Sequence, residues 1–247
     1  MFSDLPLPSL LGLIAVLLLS LSWHEAAHAW VADRLGDPTA RSLGRVTLNP
    51  IKHLDLFLSV LLPATLILAG FPPFGGGKPV PIDVRNFRRP SRDFMLVAIA
   101  GPLSNLALSA AFGLTYVLCV WRGVFVTFVD NPYGAPTPYV PSILMDDGTT
   151  EPWRFVLQMG FLLNISLALF NLLPIPPLDG SRIVGWLLPK PLKVYWYRLD
   201  RFAFLIVIGL YIALQGGAGE SIFRFIMGAW MHAGDVVDNL AWKVMPA

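Results

Sequence analysis

The chain is a succession of apolar runs, several of them long enough for a helix to cross a bilayer, and this limits its folds more than any other feature. A membrane-spanning helix takes about 20 largely apolar residues, and such runs occupy residues 8–32, 93–121 and 153–173. Shorter runs cover 54–70, which contains Pro63, and 202–214, while 222–237 is interrupted by Arg224, His232 and Asp235. Charged residues make up 14% of the 247 positions, against about a quarter in a water-soluble domain, and the mean hydropathy is +0.62. Lipid is therefore the solvent for much of the surface. The first run does not read as a cleaved leader: only Asp4 is charged before it, and it ends in His24 and Glu25 without a small-residue cleavage site.

The expected fold is an all-α polytopic membrane protein with about four to six transmembrane helices, a re-entrant segment and a small membrane-associated β element. It forms a single domain over 1–247, with a core over about 8–188 and C-terminal helices over about 197–240. Net charge is only +2, and the scattered Lys and Arg form no basic run with interleaved aromatics, so a nucleic-acid partner is not expected. These charges report topology instead, because short cytoplasmic loops collect Lys and Arg. Arg34, Arg41, Arg45 and Lys52 follow the first run, and Lys78, Arg85, Arg88, Arg89 and Arg92 precede the run at 93–121. The loop at 123–152 carries Asp130, Asp146, Asp147 and Glu151, and 182–201 is basic again. All basic loops fall on the cytoplasmic side if 54–70 enters and leaves on one side.

Near the inner end of the first run the chain reads His24-Glu25-Ala26-Ala27-His28. Histidines four apart on a helix are separated by about 6 Å of rise and about 40° of rotation, so both imidazoles can face one ion. Glu25 is offset around the helix but within reach of a water at that ion, where it can act as general base. Ionisable side chains in a membrane helix cost about 2.5–3.5 kcal/mol each on insertion scales, and a divalent cation compensates. The plainer alternative has His24 and His28 hydrogen-bonded to interfacial water.

A catalytic zinc takes three protein ligands and leaves one position open. Cys119 is the only cysteine and lies in an apolar run, and the remaining histidines are His53 and His232, so a carboxylate is the better third ligand. Asp179 fits, at the end of Asn171-Leu172-Leu173-Pro174-Ile175-Pro176-Pro177-Leu178-Asp179-Gly180. Three prolines after an apolar run force unwound backbone, tolerated at membrane depth where it lines an enclosed or wet cavity. An Asp-Gly turn at a helix stop is the other reading. Asp179 follows the inner end of the run at 153–173 if one full crossing, 93–121, comes before that run, and His24, His28 and Asp179 then lie at one depth on the cytoplasmic side. Residues 41–48 alternate as an exposed strand would, and such an edge could bind an extended substrate by strand addition. Gly75-Gly76-Gly77-Lys78 lacks the spacing and hydroxyl residue of a phosphate loop.

An HExxH in a membrane helix joined to a distant N-x2-P-x2-P-L-D-G resembles the site-2 protease family of intramembrane metalloproteases, peptidase family M50. Gly36-Asp37-Pro38-Thr39-Ala40, Leu48-Asn49-Pro50 with His53 and Asp55, Gly77-Lys78-Pro79-Val80-Pro81 and Ala100-Gly101-Pro102-Leu103-Ser104-Asn105 resemble its small bacterial and archaeal members. The resemblance covers most of 10–183 and lacks the PDZ module and C-terminal regulatory nucleotide-binding (CBS) domain of some relatives. It implies one Zn2+ per chain on His24, His28 and Asp179, Glu25 as catalytic base, and a transmembrane protein or peptide as substrate. It also implies a place near the substrate backbone or oxyanion for Asn171, with Asn105 a further candidate. The expected setting is a bacterial or archaeal cell membrane with the site near the cytoplasmic face. Two other classes use such ligands: a zinc transporter or sensor, which would place ionisable groups along a path through several helices, and a non-cleaving pseudoprotease, which would have no need to keep Glu25.

Overall fold

A computed structural model describes residues 6–68, 76–124, 127–129, 137–139, 152–215 and 217–244. The long apolar runs become α1 (Leu7–Arg34), α4 (Pro90–Trp121) and α5 (Pro152–Asn171), and these three are long and apolar enough to cross a membrane. Between α1 and α4 lie the single turn α2 (Thr39–Ser42) and the short α3 (Leu62–Leu68). After α5 come α6 (Gly180–Leu187), α7 (Lys190–Arg198), α8 (Ala203–Gln215) and α9 (Gly217–Val244). Most of the acidic loop at 123–152 lies outside the described residues, apart from the short antiparallel strands β1 (Thr127–Val129) and β2 (Thr137–Tyr139).

The chain divides into two compact units, one holding 1–17, 106–166 and 212–247, the other 18–105 and 167–211. Within the first, small residues let bulky ones approach. A Cβ on Gly160 would lie 2.5 Å from the Phe112 ring, and one on Gly113 would lie 3.0 Å from Val237. Ser109 Oγ donates to the Phe161 carbonyl at 2.9 Å, and Trp230 Nε1 donates to Ser166 Oγ at 3.1 Å. Close backbones with a few interhelical hydrogen bonds are how helices associate without a hydrophobic driving force.

The second unit has a core of Ala32, Phe87 and Val97, over which the link between α1 and α4 is tied by one carboxylate. Asp37 is fully buried. Its Oδ1 accepts from the Thr39 amide at 3.1 Å, the Thr39 hydroxyl at 2.5 Å and Asn86 Nδ2 at 2.8 Å, and its Oδ2 accepts from the Asp83 amide at 2.8 Å. Burial pushes the Asp37 carboxyl up, but these donors, from Thr39, Asn86 and Asp83, outweigh it and hold the pKa below the ordinary carboxylate value.

The expected strand at 41–48 does not form. Asp37-Pro38-Thr39 starts a helical turn instead, and Gly44 at φ +64° ends it. Arg41 pairs back with Asp33 at 2.6 Å through both Nε and Nη2, while buried Arg45 donates to the Lys78 carbonyl at 2.5 Å. The alternating residues thus serve two separate arginine contacts rather than the two faces of a pleat. The described residues of the run at 54–70 give a π-helical turn, Leu56–Leu61, followed by α3. These 13 residues reach only about 20 Å as helix, short of a hydrocarbon core of about 30 Å.

A carboxyl with a depressed native pKa stabilises the fold above its unfolded value of about 3.9 and ceases to do so as pH falls through the native value. Asp37→Asn is expected to increase proteolysis of the 76–89 link at neutral pH, by a stability loss of about 2–3 kcal/mol. The difference from wild type should shrink as pH is lowered from about 5 to 3; limited proteolysis across that range checks both.

Candidate metal centre

Ser20, His24 and His28 recur every four residues along α1, and Val97, Gly101 and Asn105 do so along α4. Residues at that spacing share one helix face, and within the second unit the two stripes meet in opposite directions. Asn105 Nδ2 donates to the Ser20 carbonyl at 3.3 Å, and Asn105 Oδ1 lies 2.6 Å from His24 Nδ1. The Val97 carbonyl lies 2.7 Å from His28 Nδ1. Between them, a Cβ on Gly101 would fall 2.4 Å from His28 Nε2 and 2.6 Å from His24 Cε1. Only a hydrogen fits there, and the next residue, Pro102, carries no amide hydrogen to complete the helical ladder.

The third element is the unwound stretch between α5 and α6. Its prolines end the helix as expected, and Asp179 sits at the N-terminus of α6. Gly180 makes the reversal possible, since a Cβ there would lie 2.2 Å from the Leu172 carbonyl oxygen. Ser181 behind it is fully buried.

The hydrogen bonds fix the chemistry of the centre. A carbonyl only accepts, so His28 Nδ1 carries its ring hydrogen, and donation from Asn105 Nδ2 to Ser20 orients Oδ1 to accept from His24 Nδ1. Neutral rings in that tautomer present bare Nε2 lone pairs. The two Nε2 atoms lie 3.0 Å apart, and 3.2 and 3.3 Å from Asp179 Oδ2, itself buried with no hydrogen-bond partner. The imidazoles stand edge to face, at 87°. Three converging acceptors repel one another unless a cation lies among them. Spacings of 3.0–3.3 Å suit ligand atoms each about 2.0–2.2 Å from one zinc ion.

Among the described residues, His24, His28 and Asp179 are the group of His, Cys and acidic side chains placed to hold a metal. Glu25 lies half-buried on the same turn of α1. His53 is fully buried elsewhere in this unit, with Nε2 donating to the Thr47 carbonyl at 2.7 Å, and His232 is exposed on α9. Of the two asparagines, Asn105 reaches the centre through His24, whereas Asn171 Nδ2 donates back to the Leu167 carbonyl at 2.9 Å. Sequence reasoning missed Val97, because a backbone carbonyl leaves no trace in side-chain identity. It placed Asn105 as a substrate or oxyanion candidate rather than as a partner of His24, and gave Gly101 no place against the imidazoles; their shared face with Val97 was the available signal.

The family model for peptidase family M50 matches residues 12–207, which contain every residue of this centre. YwhC of Bacillus subtilis is 36% identical over 85% of this chain and 84% of its own length. Rip2 of Mycolicibacterium smegmatis is 31% identical over 86% of this chain and 71% of its own. Both carry the name "Putative zinc metalloprotease". No solved structure matches the chain. With most of its length covered by the family model, this chain belongs to peptidase family M50.

Proposed function

We propose that the protein is an intramembrane zinc metalloprotease that hydrolyses peptide bonds in or near transmembrane segments of other membrane proteins. One observation carries the reading: on a long apolar helix, the Nε2 atoms of His24 and His28 converge with Asp179 Oδ2 to within 3.3 Å of one another. These three residues hold one Zn2+ per chain. When bound, the ion lowers the pKa of water and polarises a carbonyl.

The remaining work belongs to the protein's own groups. The Glu25 carboxylate takes a proton from the attacking water and returns it to the leaving amine. Asn105 and the Val97 carbonyl keep the histidines in the ligating tautomer, and such partners are worth about 10–100-fold in metal affinity. Asn171, at the end of α5, lies in the same motif as Asp179 and binds substrate backbone. The segment at 54–70 is re-entrant, and the centre opens toward the cytoplasmic face of a bacterial or archaeal cell membrane. Basic loops on either side of the motif helices support that side.

Purified Glu25→Gln is expected to keep stoichiometric zinc and lose cleavage of a membrane-spanning reporter by at least about 100-fold, whereas Asp179→Ala should lose both. Metal analysis beside a reconstituted cleavage assay reads the two effects separately; a Glu25→Gln protein that still cuts would remove the base assignment. Gly101→Ala is expected to displace the imidazoles and lower zinc affinity at least about tenfold, because the added methyl occupies space now taken by both rings. Competition with a zinc chelator measures this, and an unchanged affinity would contradict the close approach.

A further inference from the structure

A second concentration of positive charge, after the one at 85–92, lies beyond the metal centre. Residues 182–202 hold Arg182, Lys190, Lys193, Arg198 and Arg201 against Asp200 alone, a net +4 in a chain whose total is +2. The same stretch exposes Leu187, Leu192, Tyr195 and Phe202. Arg198 lies over the Tyr195 ring at 5.5 Å and Arg201 over the Phe202 ring at 4.6 Å. Exposed apolar and aromatic side chains among basic ones suit an interfacial helix that rests on an anionic membrane surface.

Beneath this stretch is a cavity of about 470 Å3, within the size range of small-ligand sites. Ser91 and Phe94 at the start of α4 line it, with Arg182, Lys193, Tyr197 and Asp200. Lys193 Nζ donates to Ser91 Oγ at 2.9 Å and to the Trp186 carbonyl at 3.0 Å, two of the three hydrogens an ammonium carries. Arg182 pairs with Asp200 Oδ2 at 2.5 Å and lies 5.2 Å from the Phe94 ring centroid. Asp200 Oδ1 is buried without a partner. The wall thus offers cations for a phosphate, an acceptor for a hydroxyl and apolar surface for a chain.

We propose that this cavity and α7 bind the headgroup of an anionic, hydroxyl-bearing membrane phospholipid, a site separate from the metal centre. The proposal rests on the membrane placement in the functional reading but not on proteolysis. α7 is braced on α6, the helix that follows Asp179, with Trp196 Nε1 donating to the Ser181 carbonyl at 2.8 Å.

The test uses the full-length protein in nonionic detergent, with native mass spectrometry reading retention of short-chain phosphatidylglycerol or phosphatidylcholine. Phosphatidylglycerol should bind at least tenfold more tightly, and Lys190→Gln with Lys193→Gln should weaken it roughly 25-fold, about fivefold per lysine, with zinc content unchanged. If the double variant loses zinc, Lys190→Gln alone, at an exposed position, carries the test with a fivefold loss. Equal binding of both lipids, or unchanged affinity in the variant, would overturn the proposal. Displacement of the lipid by equimolar glycerol phosphate would overturn it in favour of a soluble phosphate. Because retention is read without any cleavage, a failed lipid site and a failed protease assignment remain distinguishable.

Discussion

Three acceptor atoms pressed together inside a largely apolar molecule are the constraint on which the rest depends. Each histidine donates through Nδ1, so its neutral form leaves Nε2 bare, and the Asp179 Oδ2 that meets them makes no hydrogen bond. A buried charge without a partner costs several kcal/mol, and lone pairs at 3.0–3.3 Å add repulsion. A cation at their centre turns each of these costs into a bond. The fold around them keeps that arrangement from relaxing.

That fold is built from close approach. Gly101 lets α4 meet the imidazole faces, Gly180 lets the chain reverse beneath the Leu172 carbonyl, and Asn105 spans from the Ser20 carbonyl to a ligand ring. In a bilayer, small residues and interhelical hydrogen bonds replace the hydrophobic effect as the means of holding helices together. Here the same devices place the ligands. Asp37 performs a related task outside the spans, gathering donors from Thr39, Asp83 and Asn86 so that the link to α4 has a fixed path.

Much of this was legible in the order of residues. The long apolar runs located α1, α4 and α5 to within a few positions, and the His24-Glu25-x-x-His28 register with the proline-rich approach to Asp179 identified the centre. Signals that depend on partners far along the chain were not legible. The alternation at 41–48 has the period of a strand, but Arg41 and Arg45 were chosen for Asp33 and the Lys78 carbonyl, and a two-residue period carries no record of that. The bracing carbonyl of Val97 is invisible to composition. Asn105 was visible, but whether it faced a substrate or a histidine depended on the stripe of α1 that it meets.

The proposed centre is one ion shared by two imidazoles and a carboxylate. X-ray absorption at the zinc edge of the purified full-length protein tests it most directly. The expected result is one zinc per chain, a first shell of nitrogen and oxygen at about 2.0–2.2 Å, and outer-shell scattering from two imidazole rings, with the zinc signal lost in Asp179→Ala. A protein that takes up no stoichiometric zinc, or whose zinc shows a sulfur shell or no imidazole scattering, would contradict it.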